Sequence, residues 1–481
     1  MNAVADPRGA QAFRFVRCEY RNGNAELAYA FDDGPELVEQ IGFPGAPVVP
    51  KERERAFDSA LRLLHLVAGI SYYKAWIPPR IEIDNGAVDE ATASLLDELY
   101  VHGLAEFAYR NGLDLRKRIA FPRFSIRDDN LSSSFRSRPE SSDFATHGAG
   151  SGPIPGRDDK ETNSVELPHR TLVPIGGGKD SVVVVEALKA IGAEASAVWV
   201  GNSPLIASVA ARTGLPMLNI SRELSSVLFE YNRMGAYNGH IPVTAINSAI
   251  LTAAAILYGF DSIAFANERS ASSATLEYEG REVNHQWSKG WAFERAFAAY
   301  VHSHVATDLD YFSLLRPFSE LAVTRAFAKL GGAYFDAFSS CNRNFRILGP
   351  KPADRWCGHC PKCHFVFLAL APFLPKPRLL AIFGRNLLDD ESQAAGFDAL
   401  IEYRDHKPFE CVGEAMEARA AFAVLNTRPE WREDALVARF REEIAPQIDA
   451  GSLQLEPWLR ASGEHGIPAR FIGALDAIRG T

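Results

Sequence analysis

The sequence predicts an α/β protein: a doubly wound parallel sheet, preceded by an N-terminal α+β domain and followed by a helical C-terminal region. Three observations carry this. Short apolar runs alternate with helix-periodic segments from Thr171 onward, three successive glycines follow the first run, and polar clusters recur where the runs end. Strands alternating with helices imply a parallel, helix-covered sheet, and ligands of such sheets bind beyond the carboxyl ends of the strands.

In chain order, residues 13–31 read as a β-hairpin. Two runs of β-forming residues flank Asn22-Gly23, a tight-turn signal. Residues 52–68 and 89–109 carry apolar side chains at helical spacing (Ala56, Ala60, Leu63, Leu64, Val67; Leu95, Leu96, Leu99, Leu104, Phe107). Residues 1–130 therefore form the expected N-terminal domain. Residues 131–169, dense in Ser, Gly, Pro and charge, lack the branched apolar residues of a core and read as a flexible linker. Within residues 170–375 strands are expected at 171–175, 195–200, 216–220 and 262–266, with helices at 181–191, 204–213 and 243–258. The polar clusters are the glycine loop after the first strand, Gly201-Asn202-Ser203 after the second and Asn267-Glu268-Arg269-Ser270 after the fourth. Residues 376–481 are helical by periodicity, for example over 415–425 and 433–444.

Composition excludes several classes. Of 481 residues, 47% are hydrophobic and 23% charged, as in ordinary globular proteins. The net charge of −9, without a Lys/Arg stripe, counts against a nucleic-acid partner. Residues 1–10 have no apolar run behind them and no segment of about twenty apolar residues occurs, so neither a secretory signal nor a membrane span is expected. Three of the six cysteines fall within seven positions, unlike a disulfide framework, so the cytoplasm is the natural compartment.

Gly176-Gly177-Gly178-Lys179-Asp180-Ser181 has the chemistry of a phosphate cradle. Glycines let the backbone approach closely, and N–H groups at a helix start attract an anion. Lys179 adds a charge and Ser181 a hydroxyl, while Asp180 beside phosphates calls for an offsetting cation, magnesium. The Walker pattern does not fit, because Asp180 separates lysine from hydroxyl. The loop resembles the Ser-Gly-Gly-x-Asp-Ser loop of the ATP-pyrophosphatase (PP-loop) superfamily, with Gly176 in place of the leading serine. That resemblance implies a HUP-like fold and cleavage of ATP between its α- and β-phosphates.

Cys357-x2-Cys360-x2-Cys363, with Cys341 upstream, offers four thiolates of the kind structural zinc prefers. His359 and His364 are alternative ligands, and an iron–sulfur cluster or free thiols remain competing readings. Cys18 and Cys411 are isolated and read as buried small residues.

Tyr237-Asn-Gly-His-Ile-Pro-Val243, Ala266-Asn-Glu-Arg-Ser-Ala-Ser272 and Val283-Asn-His-Gln-Trp-Ser-Lys289 are more specific. With the loop and the cysteines they resemble the glycopeptide glutamate epimerases of peptidoglycan synthesis (MurL type). The resemblance implies a UDP-N-acetylmuramoyl-L-alanyl-L-glutamate substrate inverted to the D-Glu form with ATP and magnesium, and coupling to a muramoyl ligase that adds L-Glu. Lys289 and Arg269 are candidates for phosphate or carboxylate contacts, as is Asn202 for the nucleotide. His240, Glu268, His285 and Lys289 are the catalytic candidates. Two other readings stay open: a different PP-loop adenylation (nitrile or amide formation, tRNA thiolation) and a non-catalytic nucleotide sensor.

Overall fold

The computed structural model describes residues 8–84, 86–124, 163–347 and 349–480. Its strands are β1 Ala12–Arg21, β2 Asn24–Phe31, β3 Leu37–Gly42, β4 Arg80–Ile83, β5 Thr171–Pro174, β6 Ala195–Val200, β7 Met217–Glu223, β8 Ser262–Phe265, β9 Leu276–Tyr278, β10 Arg281–Val283 and β11 Asp310–Ser313. β9 and β10 pair as a small separate hairpin. The other nine form one sheet in the order β11-β8-β5-β6-β7-β3-β2-β1-β4.

The five strands from β11 to β7 run parallel. The chain moves outward from β5 through β6 and β7 in one direction and, after returning, through β8 and β11 in the other. Loops leaving the carboxyl ends on either side of such a reversal diverge, which opens a crevice there. Alternate strand residues face two different cores. Leu172, Val198 and Ile263 join one; Val173, Ala197 and Ala264 join the other. The period of two follows from the pleat.

The first core contains the apolar stripe of helix Glu54–Ala68 and the almost wholly buried helix Val243–Tyr258. The second holds helix Lys179–Ala190, helix Glu320–Leu330 and helix Pro361–Leu370. Val182, Val183, Val184 and Val185 are all fully buried. Valine is a mediocre helix former because its χ1 is restricted. Burial at about 1.5–3 kcal/mol per side chain therefore holds this helix in place, rather than propensity.

The sheet continues across the expected border between the first two domains. β3 pairs antiparallel with β7, Ile41 opposite Arg222, and Arg222 Nε donates to buried Glu39 at 2.7 Å. The expected hairpin is present, with Asn22 and Gly23 both at positive φ. Two expected helices are broken: 89–109 divides into Glu90–Gly103 and Ala105–Asn111, and 433–444 into Ala435–Arg439 followed by a π-turn at Phe440–Ile444. Most of the expected linker 131–169, and residues 1–7 of the N-terminal stretch, lie outside the described residues. Residues 163–169 belong to the packed structure: the Asp308 carboxylate accepts from the Val165 and Leu167 amides at 3.1 and 3.0 Å, and Leu167 is buried. Composition alone does not reveal that anchoring. Among the described residues no helix is long and apolar enough to cross a membrane.

Candidate active site

The glycine loop leaves β5 at the reversal of strand order. Gly177 has φ +81°, a left-handed conformation open to glycine at little cost, and its carbonyl accepts from Ser339 N at 2.9 Å. Gly178 is the N-cap of helix Lys179–Ala190, and a Cβ there would stand 2.5 Å from Ser340 Oγ. The first N–H groups of the helix have no intrahelical acceptor, and its dipole makes this end electropositive. Gly176, Gly178, Asp180 and Ser181 line a cavity of about 280 Å³, with Asn267, Lys289, Lys362 and Cys411 on its other walls.

Lys179 does not line this cavity. Its ammonium is buried, donating to Glu320 at 2.9 Å and also to Asp180. Burial opposes its charge, but the two carboxylates hold its pKa above the usual lysine value. Burial would likewise raise Glu320; the Lys179 and Lys362 ammoniums pull it well below the carboxylate range instead. Lys179 thus fixes Asp180 at the mouth of the loop.

Glu268, at the end of β8, is buried, and burial together with the charges of Glu320 and Asp180 pushes its pKa up to about 8. Its carboxyl is therefore largely protonated at neutral pH. Lys289 stays charged despite burial, chiefly because the Cys411 thiolate stabilises the ammonium; its Nζ donates to Cys411 Sγ at 3.3 Å. Both segments hang on one buried guanidinium. Arg316 donates to the Glu268 carbonyl at 2.8 Å, to the Lys289 carbonyl at 2.6 Å and to the Glu294 carboxylate at 2.6 and 3.1 Å.

His285 Nδ1 donates to Glu106 at 2.5 Å. Burial disfavours the imidazolium, but hydrogen bonds with Cys411 and Glu106 raise the pKa to about 9. His240 packs against it with ring centroids 4.3 Å apart and sits 3.8 Å from Glu106. Burial and the neighbouring His285 lower His240 to about 4. The two histidines thus take opposite charge states. Their possible ligand atoms and that of Glu106 converge within 4.8 Å, but Glu106 is already engaged by His285 and by Arg110 at 2.6 Å. Within the trio only His285 is hydrogen-bonded to Glu106, and His240 is held by ring contact and charge.

Glu268, His240 and His285 lie behind the cavity wall rather than on it, and two further sequence candidates stand apart from the whole cluster. Asn202 is exposed after β6 and does not line the cavity, and Arg269 points its guanidinium to the Arg460 carbonyl in the C-terminal region, 3.5 Å away. Cys411, Glu106, Glu320 and Arg316 were invisible as site residues. Each lies far in sequence from the motif it serves and matches no local pattern.

The four clustered cysteines converge at the start of helix Pro361–Leu370. Their sulfurs all lie within 4.8 Å of one another, with separations of 3.4 Å (Cys360–Cys363), 3.7 Å (Cys357–Cys363) and 4.0 Å (Cys360–Cys341). A zinc tetrahedron with bonds of 2.3 Å has edges of about 3.8 Å. These thiols could therefore hold one ion with little movement. His364 instead hydrogen-bonds Gln393 at 2.8 Å, and His359 contacts Arg385 at 2.9 Å.

Residues 4–314 match a family model described as the MurL N-terminal domain, and residues 337–454 one described as the MurL C-terminal domain. A relative from Xanthomonas oryzae pv. oryzae, named UDP-N-acetyl-alpha-D-muramoyl-L-alanyl-L-glutamate epimerase, is 54% identical over 96% of both chains. Relatives of the same name from Salinispora tropica and a Micromonospora species are 36% and 38% identical, over 98% and 97% of this chain and 97% and 98% of their own.

Proposed function

The chain belongs to the MurL family, whose relatives are epimerases, and we propose that it inverts the terminal L-Glu of UDP-N-acetylmuramoyl-L-alanyl-L-glutamate through an ATP-derived carboxyl adenylate, in peptidoglycan synthesis. The observation that carries the chemistry is the single cavity in which the glycine loop faces Lys289 and Lys362, with Glu268 buried beside it. Reversal of strand order at β5, with that loop at its carboxyl end, supports the PP-loop, HUP-like assignment.

A free carboxylate makes its α-hydrogen very weakly acidic, because deprotonation gives a dianion. Adenylation removes that charge, and each pKa unit gained lowers the carbanion's cost by about 1.4 kcal/mol. Gly176, Gly178 and the helix N-terminus would receive the phosphates, assisted by Ser181. Asp180 would hold magnesium, which when bound offsets phosphate charge. Lys289 and Lys362 supply cations for the substrate carboxylate and the phosphates. Glu268, neutral at physiological pH, can deliver a proton to Cα. The four cysteines would hold a structural zinc.

A second cavity of about 540 Å³ is built partly from the same 284–290 segment. It is lined by Tyr109, Tyr278, Trp287 and Trp291 together with Arg116 and Arg281. Aromatic faces suit uracil and guanidinium groups suit a diphosphate, so this cavity is the proposed seat of the UDP-sugar portion.

Incubation with ATP, magnesium and the UDP-muramoyl dipeptide in D2O tests the reading. AMP, pyrophosphate, D-Glu and deuterium at Cα are expected. Pyrophosphate without inversion would replace it with another adenylation, and neither product with nucleotide binding alone.

A further inference from the structure

Two cysteines lie outside the thiol cluster, and their surroundings are opposite in kind. Cys18 is packed in the N-terminal core, and burial pushes its thiol up to about 11. Cys411 is half-buried in the wall of the cavity that contains the glycine loop. The groups facing its sulfur are Lys289, whose Nζ is 3.3 Å away, the imidazole of His285 and the ammonium of Lys362, with Glu410 and, behind His285, Glu106 as the nearby acids. Its backbone is clamped as well: Lys362 donates to the Cys411 carbonyl, and Gln286 to the Val412 carbonyl at 3.3 Å. Three cationic groups on one sulfur are the setting of a thiolate, not of a packing residue.

We propose that Cys411 is the catalytic base that removes the Cα proton of the activated L-glutamyl residue, an inference that rests on the epimerase reading of this cavity. The thiolate takes the proton, and the C–H electron pair moves into the activated carbonyl as an enolate. Glu268 gives its own proton to the opposite face of Cα, forming the new C–H bond. The enolate returns to the acyl adenylate, and water then cleaves it to the D-Glu carboxylate and AMP; Cys411 is left as a thiol and Glu268 as a carboxylate, and proton exchange with water resets both. The charge states agree with these roles: burial would raise Cys411, but Lys289 and His285 bring it down to about 5, whereas Glu268 sits near 8. The Glu106–His285 pair is a positioning device that keeps a cation against the sulfur.

The test compares wild type with Cys411→Ala and Cys411→Ser in D2O, with ATP, magnesium and the L- or D-Glu form of the UDP-muramoyl dipeptide. Both variants are expected to lose inversion and Cα exchange from the L-form by about 100-fold or more, a far larger loss than the one they show in release of AMP and pyrophosphate. In wild type, iodoacetamide should alkylate Cys411 with a rate that rises through pH 5, and ATP with substrate should protect it. Inversion at the wild-type rate in either variant overturns the role, as does alkylation that rises only near pH 9. If the alanine variant does not fold, the serine variant and the alkylation profile decide. Failure of wild type to form AMP and pyrophosphate would sink the epimerase reading itself, a result separate from the cysteine's role.

Discussion

Arg316→Met offers the sharpest test of how the site is held. Arg316 is 2% exposed, as is its partner Glu294. The substitution keeps much of the side-chain volume but removes both contacts to Glu294 and the donors to the Glu268 and Lys289 carbonyls. Glu294 retains only the Ser313 amide at 3.0 Å. Removing one partner of a buried ion pair costs about 3–5 kcal/mol, because the other charge is left uncompensated. The Lys289 carbonyl, left without its donor, adds about 1–3 kcal/mol where water cannot enter, whereas the Glu268 carbonyl keeps the Ala271 amide at 3.3 Å. A loss of at least about 4 kcal/mol is therefore expected from urea unfolding followed by circular dichroism, along with a fall in kcat as Glu268 and Lys289 lose register. Adding Glu294→Leu should recover most of the ion-pair component but not the activity, since the Lys289 carbonyl remains without a donor and the Glu268 carbonyl keeps only the Ala271 amide at 3.3 Å. A single-variant loss below about 1 kcal/mol, or a double variant no more stable than the single, would refute this account.

Other expectations follow from the same geometry. The rate of inversion should be bell-shaped in pH, falling below about 5 as Cys411 gains a proton and above about 8 as Glu268 loses one; a flat profile from 4 to 9 contradicts both assignments. Because the folded-state pKa of Glu268 is raised, its linkage contribution to stability is fully present below the ordinary carboxylate pKa and is lost as pH rises through about 8. Glu268→Gln should remove that part of the pH dependence in thermal unfolding measured from pH 4 to 9. Gly177→Ala forces a side chain into φ +81° at a cost of about 1–2 kcal/mol and disturbs the loop, so KM for ATP should rise with little change in overall fold. Purified protein should carry one zinc per chain by elemental analysis, and Cys360→Ser should abolish it and destabilise the Pro361–Leu370 helix that the cysteines begin.

The sequence made the alternating region legible because period-2 and period-3.6 patterns are local. The expected helix 243–258 matches Val243–Tyr258, and the 195–200 strand matches β6. β3 escaped because Glu39 occupies an inward position. A buried carboxylate breaks the apolar alternation, and its partner Arg222 lies far along the chain. At the site, the glycine loop could be read because it is contiguous. His240, Glu268, His285 and Lys289 could be singled out as residue types in polar segments, but their charge states could not. Those depend on Glu106, Glu320 and Cys411, which arrive from other elements. Cys411 and Cys18 look alike in sequence, and only their neighbours separate a thiolate from a packed thiol.

Lys289 connects these charge states. A single buried ammonium beside both Cys411 and Glu268 lowers the pKa of each, yet the two end about three units apart and in reversed order. The difference arises from the second neighbour. His285, held cationic by Glu106, adds a further positive group at the thiol, whereas Glu320 and Asp180 add negative ones at the carboxyl. Glu320 and Asp180 are in turn the partners of Lys179 beside the glycine loop. The separation of base and acid needed for inversion at one carbon thus rests on the same ion-pair chain that shapes the glycine loop.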